Sequence, residues 1–229
     1  LYEFPYLTHM CLEPMNCTAH FRREPDGKDH LEVWIPTQSG PRFQKMALER
    51  YGLEKDQLTI HIKRMGGSFG RRTSDESVIE AIELSRRSGL PVKLTWTRED
   101  SIRYDFLRQG GFNRVRGAIN PEGEVLAIEE HTVGVQSGGK PSRFNGPNPS
   151  AFPFSTMKNI RGSLTNYRMD TPVGPWRAPY SNTHAFVSQS FIHELAIAGN
   201  RDHVELLIEM MGEPRWLDDS NWRAMNTER

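Results

Sequence analysis

The alternation of apolar and polar residues predicts strands in several parts of the chain. In "LTIHIK", Leu58, Ile60 and Ile62 alternate with polar residues, so these three side chains are expected to face a core. "LEVWIP" and "VKLTWT" predict two more strands, the first of which ends at Pro36. "FNRVRGAI" and "EVLAIEEHTVGV" flank the turn "NPEG" and therefore predict an antiparallel hairpin. "SLTNYRMD" adds a further strand.

A helix is predicted directly after the glycine-rich stretch "MGGSFGRR", and its boundaries carry the clearest signals in the chain. Thr73 and Glu76 have the spacing of a capping box at its start. Gly89 stands where a left-handed residue commonly ends a helix. The predicted buried stripe consists of Val78, Ala81, Ile82 and Ser85.

Three other helices follow from the same helical period. The first, "RFQKMALERYG", ends at Gly52; the second covers about 183–198 and ends at Gly199; the third covers about 202–211. In the first of these helices, one face carries Phe43, Met46, Ala47 and Tyr51. In the last, one face carries Val204, Leu207, Ile208 and Met211.

The mixture of strands and helices, with at least one hairpin, predicts an α+β fold with mixed sheets and packed helices. With 229 residues, of which 36% are hydrophobic, the chain is long enough for one large domain or two small ones. Between Gln136 and Thr156, Gly, Pro, Ser and Asn dominate and no period is found. This stretch is predicted as a long loop, either a lid or a disordered segment.

Charge and cysteine content narrow the function classes. The net charge is +0, whereas nucleic-acid-binding proteins usually carry a basic excess, so no nucleic-acid partner is expected. No apolar run approaches the roughly 20 residues that cross a bilayer. Cys11 and Cys17 match neither a redox nor a zinc motif, so a disulfide and two ordinary thiols both stay open.

The glycine loop is the first candidate for chemistry. Gly66, Gly67 and Gly70 allow unusual backbone angles and let a ligand approach peptide N–H groups. The loop lies between a predicted strand and a predicted helix start, which favours an anion, and Arg71 with Arg72 adds donors. The alternative is a tight turn in which the glycines serve steric needs alone. The pattern matches neither the Walker loop nor G-x-G-x-x-G.

Two further polar residues stand in turn-rich segments. Gln38 in "IPTQSG" follows a predicted strand, where its amide can both donate to and accept from a bound group. Arg177 in "GPWRAP" lies between two prolines, which restrict its position and suit it to recognise an anion or a carbonyl. The alternatives are a solvent-facing amide for Gln38 and a surface arginine stacked on Trp176.

The motifs "PTQS", "MGGSFGRR" and "GPWRAP", in this order, resemble the molybdenum-cofactor-binding subunit of the xanthine dehydrogenase/aldehyde oxidase family. "HMCLEPMNCTAHF" and "HELAIAGNRDHVELLIEMM" are similar to segments of one branch, the isoquinoline 1-oxidoreductase beta subunits and related membrane-associated aldehyde dehydrogenases. The similarity covers nearly the whole chain, so residues 1–229 are expected to form a molybdenum-cofactor-binding region.

The resemblance implies roles for individual residues. Gln38 is expected to hydrogen-bond near the molybdenum oxo group, and Arg177 to act as a catalytic residue in the substrate pocket. No protein side chain is expected to ligate the metal, because the pterin and small inorganic ligands hold it. The implied cofactor-binding set is Gln38, Gly66, Gly67, Ser68, Phe69, Gly70 and Arg71.

The implied reaction is hydroxylation of an aldehyde or an N-heteroaromatic ring with an oxygen derived from water. The implied cofactor is molybdopterin with molybdenum, and this branch suggests the cytosine dinucleotide form. Two cysteines cannot supply the four ligands that each [2Fe–2S] centre takes, so an iron–sulfur partner subunit is implied. A cytochrome c as electron acceptor and a small-molecule substrate complete the implied partners. The branch also suggests a periplasmic or membrane-associated location.

The chain departs from the family pattern in ways that affect these expectations. The glycine-flanked glutamate that serves as the family's base has no counterpart, since "MGEPRW" lacks the flanking glycines. Thr73 and Pro179 stand where the xanthine-type branch has glutamate and phenylalanine, which favours the isoquinoline/aldehyde branch.

The missing base, the start at Leu1 and the polar end together predict a fragment of a larger subunit, inactive in isolation. One alternative is a non-catalytic binding or assembly module that retains the fold without the cofactor. Another is a generic phosphate-binding α+β domain.

Overall fold

The computed structural model describes residues 1–137, 140–141, 146–179 and 181–214. The chain divides into two compact units, and both contain strands and helices, which confirms the α+β class. The glycine-loop unit comprises Thr8–Arg108 and Pro172–Arg177, and the hairpin unit comprises Leu1–Leu7, Gln109–Thr171 and Ala178–Arg229.

The regular elements of the described residues are numbered in chain order. The strands are β1 Tyr2–Phe4, β2 Asn16–Arg23, β3 Asp29–Ile35, β4 Leu58–Ile62, β5 Val92–Thr95, β6 Gly111–Ile119, β7 Val125–Ser137, β8 Lys140–Pro141 and β9 Ile160–Arg168. The helices are α1 Gly40–Tyr51, α2 Glu76–Ser88, α3 Arg98–Arg103, α4 Ser181–Ala198 and α5 His203–Met211. Within the described ranges, no helix combines the length and apolar character of a membrane span.

A four-stranded sheet with the order β4-β3-β2-β5 forms the base of the glycine-loop unit. β2 pairs antiparallel with both β3 and β5, whereas β3 and β4, which α1 connects, run parallel. Apolar side chains from this sheet, α1 and α2 form one core. Its completely buried members include Ala19, Val33, Phe43, Ala47, Ala81 and Ile82.

The helix ends of this unit agree with the sequence patterns. Gly52 and Gly89 follow α1 and α2 with φ of 64° and 69°, in the left-handed region that glycine adopts readily. The predicted stripe of α2 is buried throughout. It consists of Val78, Ala81, Ile82 and Ser85.

Two local predictions in the same unit are wrong. Thr73 does not cap α2, because its hydroxyl donates to the carbonyl of Gly70 at 2.7 Å and Asp75 occupies the N-cap position. Ile62 does not face the core: its side chain is 61% exposed, since it ends β4 at the edge of the sheet.

The strand predicted from Val92 to Thr97 is shorter than expected, and a helix follows it. β5 ends at Thr95, and the side chain of Thr97 accepts a hydrogen bond from the backbone N–H of Asp100. Asp100 in turn bonds back to Thr97, which forms a capping box that starts α3. This helix was missed because it is only six residues long.

The hairpin unit is built on the predicted β6–β7 hairpin. Its turn closes with a hydrogen bond from Gly123 N–H to the Asn120 carbonyl at 3.0 Å. β1 extends the sheet beside β6, and β9 pairs parallel with β7. α4 packs on this sheet, and it ends at Ala198, before Gly199, as predicted. The core includes Ile128, Phe191, Ile192, Leu195, Ala196 and Leu206.

The long loop predicted for 136–156 begins too early. β7 continues to Ser137, and the backbones of Gln136 and Ser137 pair with Pro141 and Lys140 of β8. Parts of the predicted loop, residues 138–139 and 142–145, lie outside the described residues.

Most of the apolar face predicted for α5 is exposed, and of its four residues only Leu207 packs against the core. Val204 and Ile208 are 61% and 59% exposed, whereas Leu206 is completely buried. Leu207 and Met210 pack against the same core. Apolar residues occur on more than one side of this helix, so periodicity alone could not select the buried side.

We expect Ser85→Ala to lower the free energy of unfolding by about 1–3 kcal/mol. The hydroxyl of Ser85 is completely buried, accepts from Phe21 N–H at 2.8 Å and donates to the Leu90 carbonyl at 2.7 Å. The measurement is urea-induced unfolding, with Ser88→Ala at an exposed position of the same helix as the control. Equal effects of the two substitutions would contradict the prediction.

Candidate cofactor site

The glycine loop, residues 66–70, has an unusual backbone. Gly67, Phe69 and Gly70 have φ of 102°, 56° and 110°. Phe69 is not a glycine, and its left-handed conformation is uncommon for a bulky residue. Its side chain is 41% exposed, so burial of the ring does not explain the conformation. Backbone strain of this kind clusters at functional sites, which singles out the loop.

Two of the glycines meet steric needs of the protein itself. A Cβ atom on Gly66 would lie 2.5 Å from the Cβ of Glu13. A Cβ atom on Gly70 would lie 1.9 Å from the carbonyl oxygen of Pro175. The steric explanation for the glycines is therefore correct at these two positions, and it does not exclude a ligand at the others.

Gln38 is attached to the glycine loop by its side chain. Its Oε1 accepts hydrogen bonds from Gly70 N–H at 3.0 Å and from the hydroxyl of Ser68. Because a backbone N–H can only donate, the oxygen must face the loop and the Nε2 group must face away from it. None of the described residues accepts from this Nε2 group, so an exposed pair of N–H donors stands beside the loop.

The centre of the loop adds backbone donors. Within the described ranges, no hydrogen-bond acceptor is found for the N–H groups of Gly67, Ser68 and Phe69. By contrast, Gly66 N–H donates to Oε2 of Glu13 at 2.7 Å. Three successive backbone donors and one side-chain amide therefore lie together, and such a set fits a ligand rich in acceptor oxygens.

Arg72 holds the loop from the interior. Its guanidinium donates to the carbonyls of Gly67, Glu13 and Pro14 at 3.1, 2.9 and 3.1 Å, and it forms an ion pair with Glu13 at 3.2 Å. Burial lowers the pKa of Arg72, and the negative charge of Glu13 partly offsets this decrease. Arg72 is therefore not a solvent-exposed arginine, and no pattern in the sequence indicated that it supports the loop.

Arg71 also points into the protein. Its guanidinium donates to Glu76 at 3.0 Å, and its Nε lies 2.9 Å from Oδ1 of Asp105, at ion-pair distance without hydrogen-bond alignment. The group also lies over the rings of Phe106 and Trp96. The side chain is therefore engaged in the interior, and its role in cofactor binding stays a prediction.

A buried cluster around Asp105 lies beneath the loop and was missed by the sequence analysis. Oδ2 of Asp105 accepts from the hydroxyl of Thr8 at 2.5 Å and from the backbone N–H of His9 at 2.6 Å. The imidazole Nδ1 of His9 lies 3.0 Å from Oδ1. Burial raises the pKa of Asp105, but the hydrogen bonds from His9 and Thr8 outweigh it, so the pKa lies below its usual value.

The segment that carries Arg177 returns to the glycine loop. Leu107 N–H donates to the Pro172 carbonyl at 3.0 Å, and Gly174 N–H donates to the Leu107 carbonyl at 3.1 Å. The next carbonyl, that of Pro175, abuts Gly70. Arg177 follows two residues later, with an exposed side chain.

The structure thus joins Gln38 and the glycine loop directly and brings the backbone before Arg177 to the same loop. The guanidinium that lies over the Trp176 ring, at 5.8 Å, belongs to Arg108. In the part of the chain that the structure describes, no group of three or more His, Cys, Asp or Glu residues could hold a metal ion. Cys11 and Cys17 are buried free thiols, and burial raises the pKa of Cys17 to about 12.

Gly70→Ala is expected to destabilise the site more than a substitution at an open left-handed glycine. The new Cβ would clash with the Pro175 carbonyl, and the residue would keep a φ of 110°. The matched control is Gly89→Ala, where φ is 69° and no atom lies within 4 Å of the new Cβ. Backbone strain alone costs about 1–3 kcal/mol. The measurement is the free energy of unfolding of both variants in urea. Equal losses of stability relative to the wild type would contradict this expectation.

The Asp105 cluster predicts a pH dependence. Because folding lowers the pKa of Asp105, its carboxylate stabilises the protein above the unfolded value of about 3.9, and this contribution is lost as the pH falls through the folded pKa. The stability difference between the wild type and Asp105→Asn should therefore shrink as the pH falls below about 4. This difference in the free energy of unfolding is measured in urea at several pH values. The control is Asp26→Asn, which changes an exposed residue. A difference that stays constant with pH would contradict the prediction.

The chain is similar to known proteins over most of its length. The family model for the molybdopterin cofactor-binding domain matches residues 1–209. The beta subunit of isoquinoline 1-oxidoreductase from Brevundimonas diminuta is 32% identical over 50% of the chain. A nicotinate dehydrogenase subunit from Pseudomonas putida is 25% identical over 95% of the chain. The matched regions are 15% and 19% of these two relatives, so the chain corresponds to a small part of each.

Solved structures share the fold. Quinoline 2-oxidoreductase from Pseudomonas putida 86 matches 98% of this chain and 29% of its own, with a TM-score of 0.75 and 14% identity. Aldehyde oxidoreductase from Desulfovibrio gigas matches 90% of this chain and 23% of its own, with a TM-score of 0.67 and 20% identity. The family match favours cofactor binding over a non-catalytic module. The chain belongs to the molybdopterin cofactor-binding domain family.

Proposed function

We propose that this chain is the molybdopterin-binding portion of an oxidoreductase that hydroxylates aldehydes or N-heteroaromatic rings with an oxygen derived from water. The observation that carries the proposal is the set of donors formed by Gln38 and the glycine loop, in a chain of this family. Relatives named for isoquinoline, nicotinate and aldehyde oxidation support this substrate class.

The donor set fits the proposed cofactor. Molybdopterin with molybdenum carries oxo and phosphate oxygens, which accept hydrogen bonds, and the groups at this site that lack a partner among the described residues are N–H donors. When bound, the group supplies the two-electron oxidation chemistry. The protein's contribution is to present donors whose positions are fixed before the ligand arrives, since Oε1 of Gln38 is already held by Ser68 and Gly70.

Most of the predicted residues have a direct task in this proposal, whereas Gly66 and Gly70 use their N–H groups within the protein. The Nε2 group of Gln38 and the N–H groups of Gly67, Ser68 and Phe69 hold acceptor oxygens of the cofactor. The ring of Phe69 is 41% exposed and lies beside Gly67, where it contacts the bound cofactor. Arg177 stabilises the negative charge that develops on the substrate. Arg71 acts indirectly, through the buried cluster that supports the loop.

The remaining proposals concern the complete enzyme. We propose that a separate subunit carries the [2Fe–2S] centres, because this chain has two cysteines and both are buried. Two of the relatives are each named as one subunit of an oxidoreductase, which agrees with a multi-subunit enzyme. The cytosine dinucleotide form of the pterin and a cytochrome c acceptor are proposed from the resemblance to the isoquinoline branch.

The test is cofactor analysis of the full-length protein that contains this chain, expressed in a host that makes molybdopterin. We expect molybdenum and pterin to be present in nearly equal amounts. The form of the pterin is read from the released nucleotide. If both molybdenum and pterin are missing from folded protein, the proposed function is wrong.

Single substitutions then separate binding from chemistry. Gln38→Ala should lower the molybdenum content or, with the cofactor retained, lower kcat by about 10²–10³, the usual effect of losing one fixed donor. Arg177→Ala should lower kcat to a similar degree with unchanged molybdenum content. Gln44→Ala, at an exposed position of α1, is the control. An equal loss of metal and turnover in Arg177→Ala would make that residue structural.

A further inference from the structure

His9 is a buried residue that the proposed chemistry does not use. It is 6% exposed, and its ring lies between two different parts of the glycine-loop unit. Nδ1 lies 3.0 Å from Oδ1 of Asp105, and Nε2 lies 3.0 Å from the carbonyl oxygen of Pro175. Both neighbours offer acceptor oxygens, so each ring nitrogen lies at hydrogen-bond distance from an acceptor on a different segment.

Buried charged groups surround the ring. Asp105 is 5% exposed and Arg71 is 3% exposed, and Arg71 also pairs with the half-buried Glu76. Because an unpaired charge in the interior is costly, these ion pairs fix Asp105, the residue that lies against Nδ1 of His9.

The position of the Nε2 contact links the cluster to the candidate site. The Pro175 carbonyl that receives this N–H is the same atom that abuts Gly70. Gly70 in turn donates to Gln38. His9 is the side chain that donates to this carbonyl, two residues before Arg177.

We propose that His9, held by Asp105, is the positioning residue that keeps the backbone before Arg177 against the glycine loop. The proposal rests on the proposed function, because it assigns His9 an effect on catalysis through Arg177. The ring of His9 is buried and its two nitrogens contact Asp105 and Pro175, so it acts through the residues that it holds.

A matched pair of substitutions separates the two ring contacts. The amide nitrogen of glutamine reaches about as far as Nε2, and that of asparagine about as far as Nδ1. His9→Gln can keep the bond to Pro175, whereas His9→Asn can keep only the bond to Asp105. In the full-length cofactor-loaded protein, His9→Asn should lower kcat by about 10–10²-fold, the effect of a small misplacement, with unchanged molybdenum content. His9→Gln should retain several times more activity than His9→Asn.

The control is His61→Asn in the same unit. His61 also contacts a carboxylate, since its Nε2 lies 2.8 Å from Glu32, but its ring is half-exposed and stacks on Trp34 outside the cluster. Its substitution should leave kcat unchanged. In an Arg177→Ala background, His9→Asn should change kcat less than about twofold, because the residue it positions is gone.

Hydrogen–deuterium exchange provides a readout that does not depend on activity. In His9→Asn, exchange should become faster at residues 66–73 and 172–178 and stay unchanged at β2 and β3. Unchanged exchange at 172–178 in a folded His9→Asn protein would overturn the proposal, as would equal activity of the Asn and Gln variants. Failure of the proposed function is recognised separately, as absence of molybdenum from the wild type, and the exchange measurement still decides the role of His9 in that case.

Discussion

The contact between the Pro175 carbonyl and Gly70 is the constraint on which the candidate site depends. A side chain at position 70 would occupy the same space as this carbonyl oxygen, 1.9 Å from it, so the two segments can approach only through a glycine. The N–H of Gly70 meanwhile fixes the amide of Gln38. One glycine therefore brings together the loop, the glutamine and the backbone that leads to Arg177.

Buried charge keeps this arrangement rigid. The neighbouring residues Arg71 and Arg72 point to separate acidic partners, Asp105 and Glu13, and each partner lies on a different segment. A buried guanidinium must be paired, because desolvation of an unpaired charge costs several kcal/mol, on the order of the stability of the whole domain. The loop between these anchors is thus held in place, and donors that need not rearrange are the kind that stabilise charge effectively.

Secondary structure was predictable where residues close together in the sequence determine it. The stripe of Val78, Ala81 and Ile82 follows from helical periodicity, and the left-handed end at Gly89 follows from the conformational freedom of glycine. The failures have non-local or competing causes. The hydroxyl of Thr73 was taken by the carbonyl of Gly70 instead of the helix start, and the exposure of Ile62 follows from its place at a sheet edge.

The sequence by itself determined the family, the α+β class and the order of the three motifs, because short motifs and periodicity are properties of neighbouring residues. Only the tertiary structure decided that Gln38 bonds to the glycine loop, that both arginines turn inward and that His9 meets Asp105. The last pair is separated by 96 residues, and such contacts depend on how strands pair and segments return, which no local pattern encodes. The N–H donors of the loop that lack an acceptor among the described residues are those that these long-range contacts have not used.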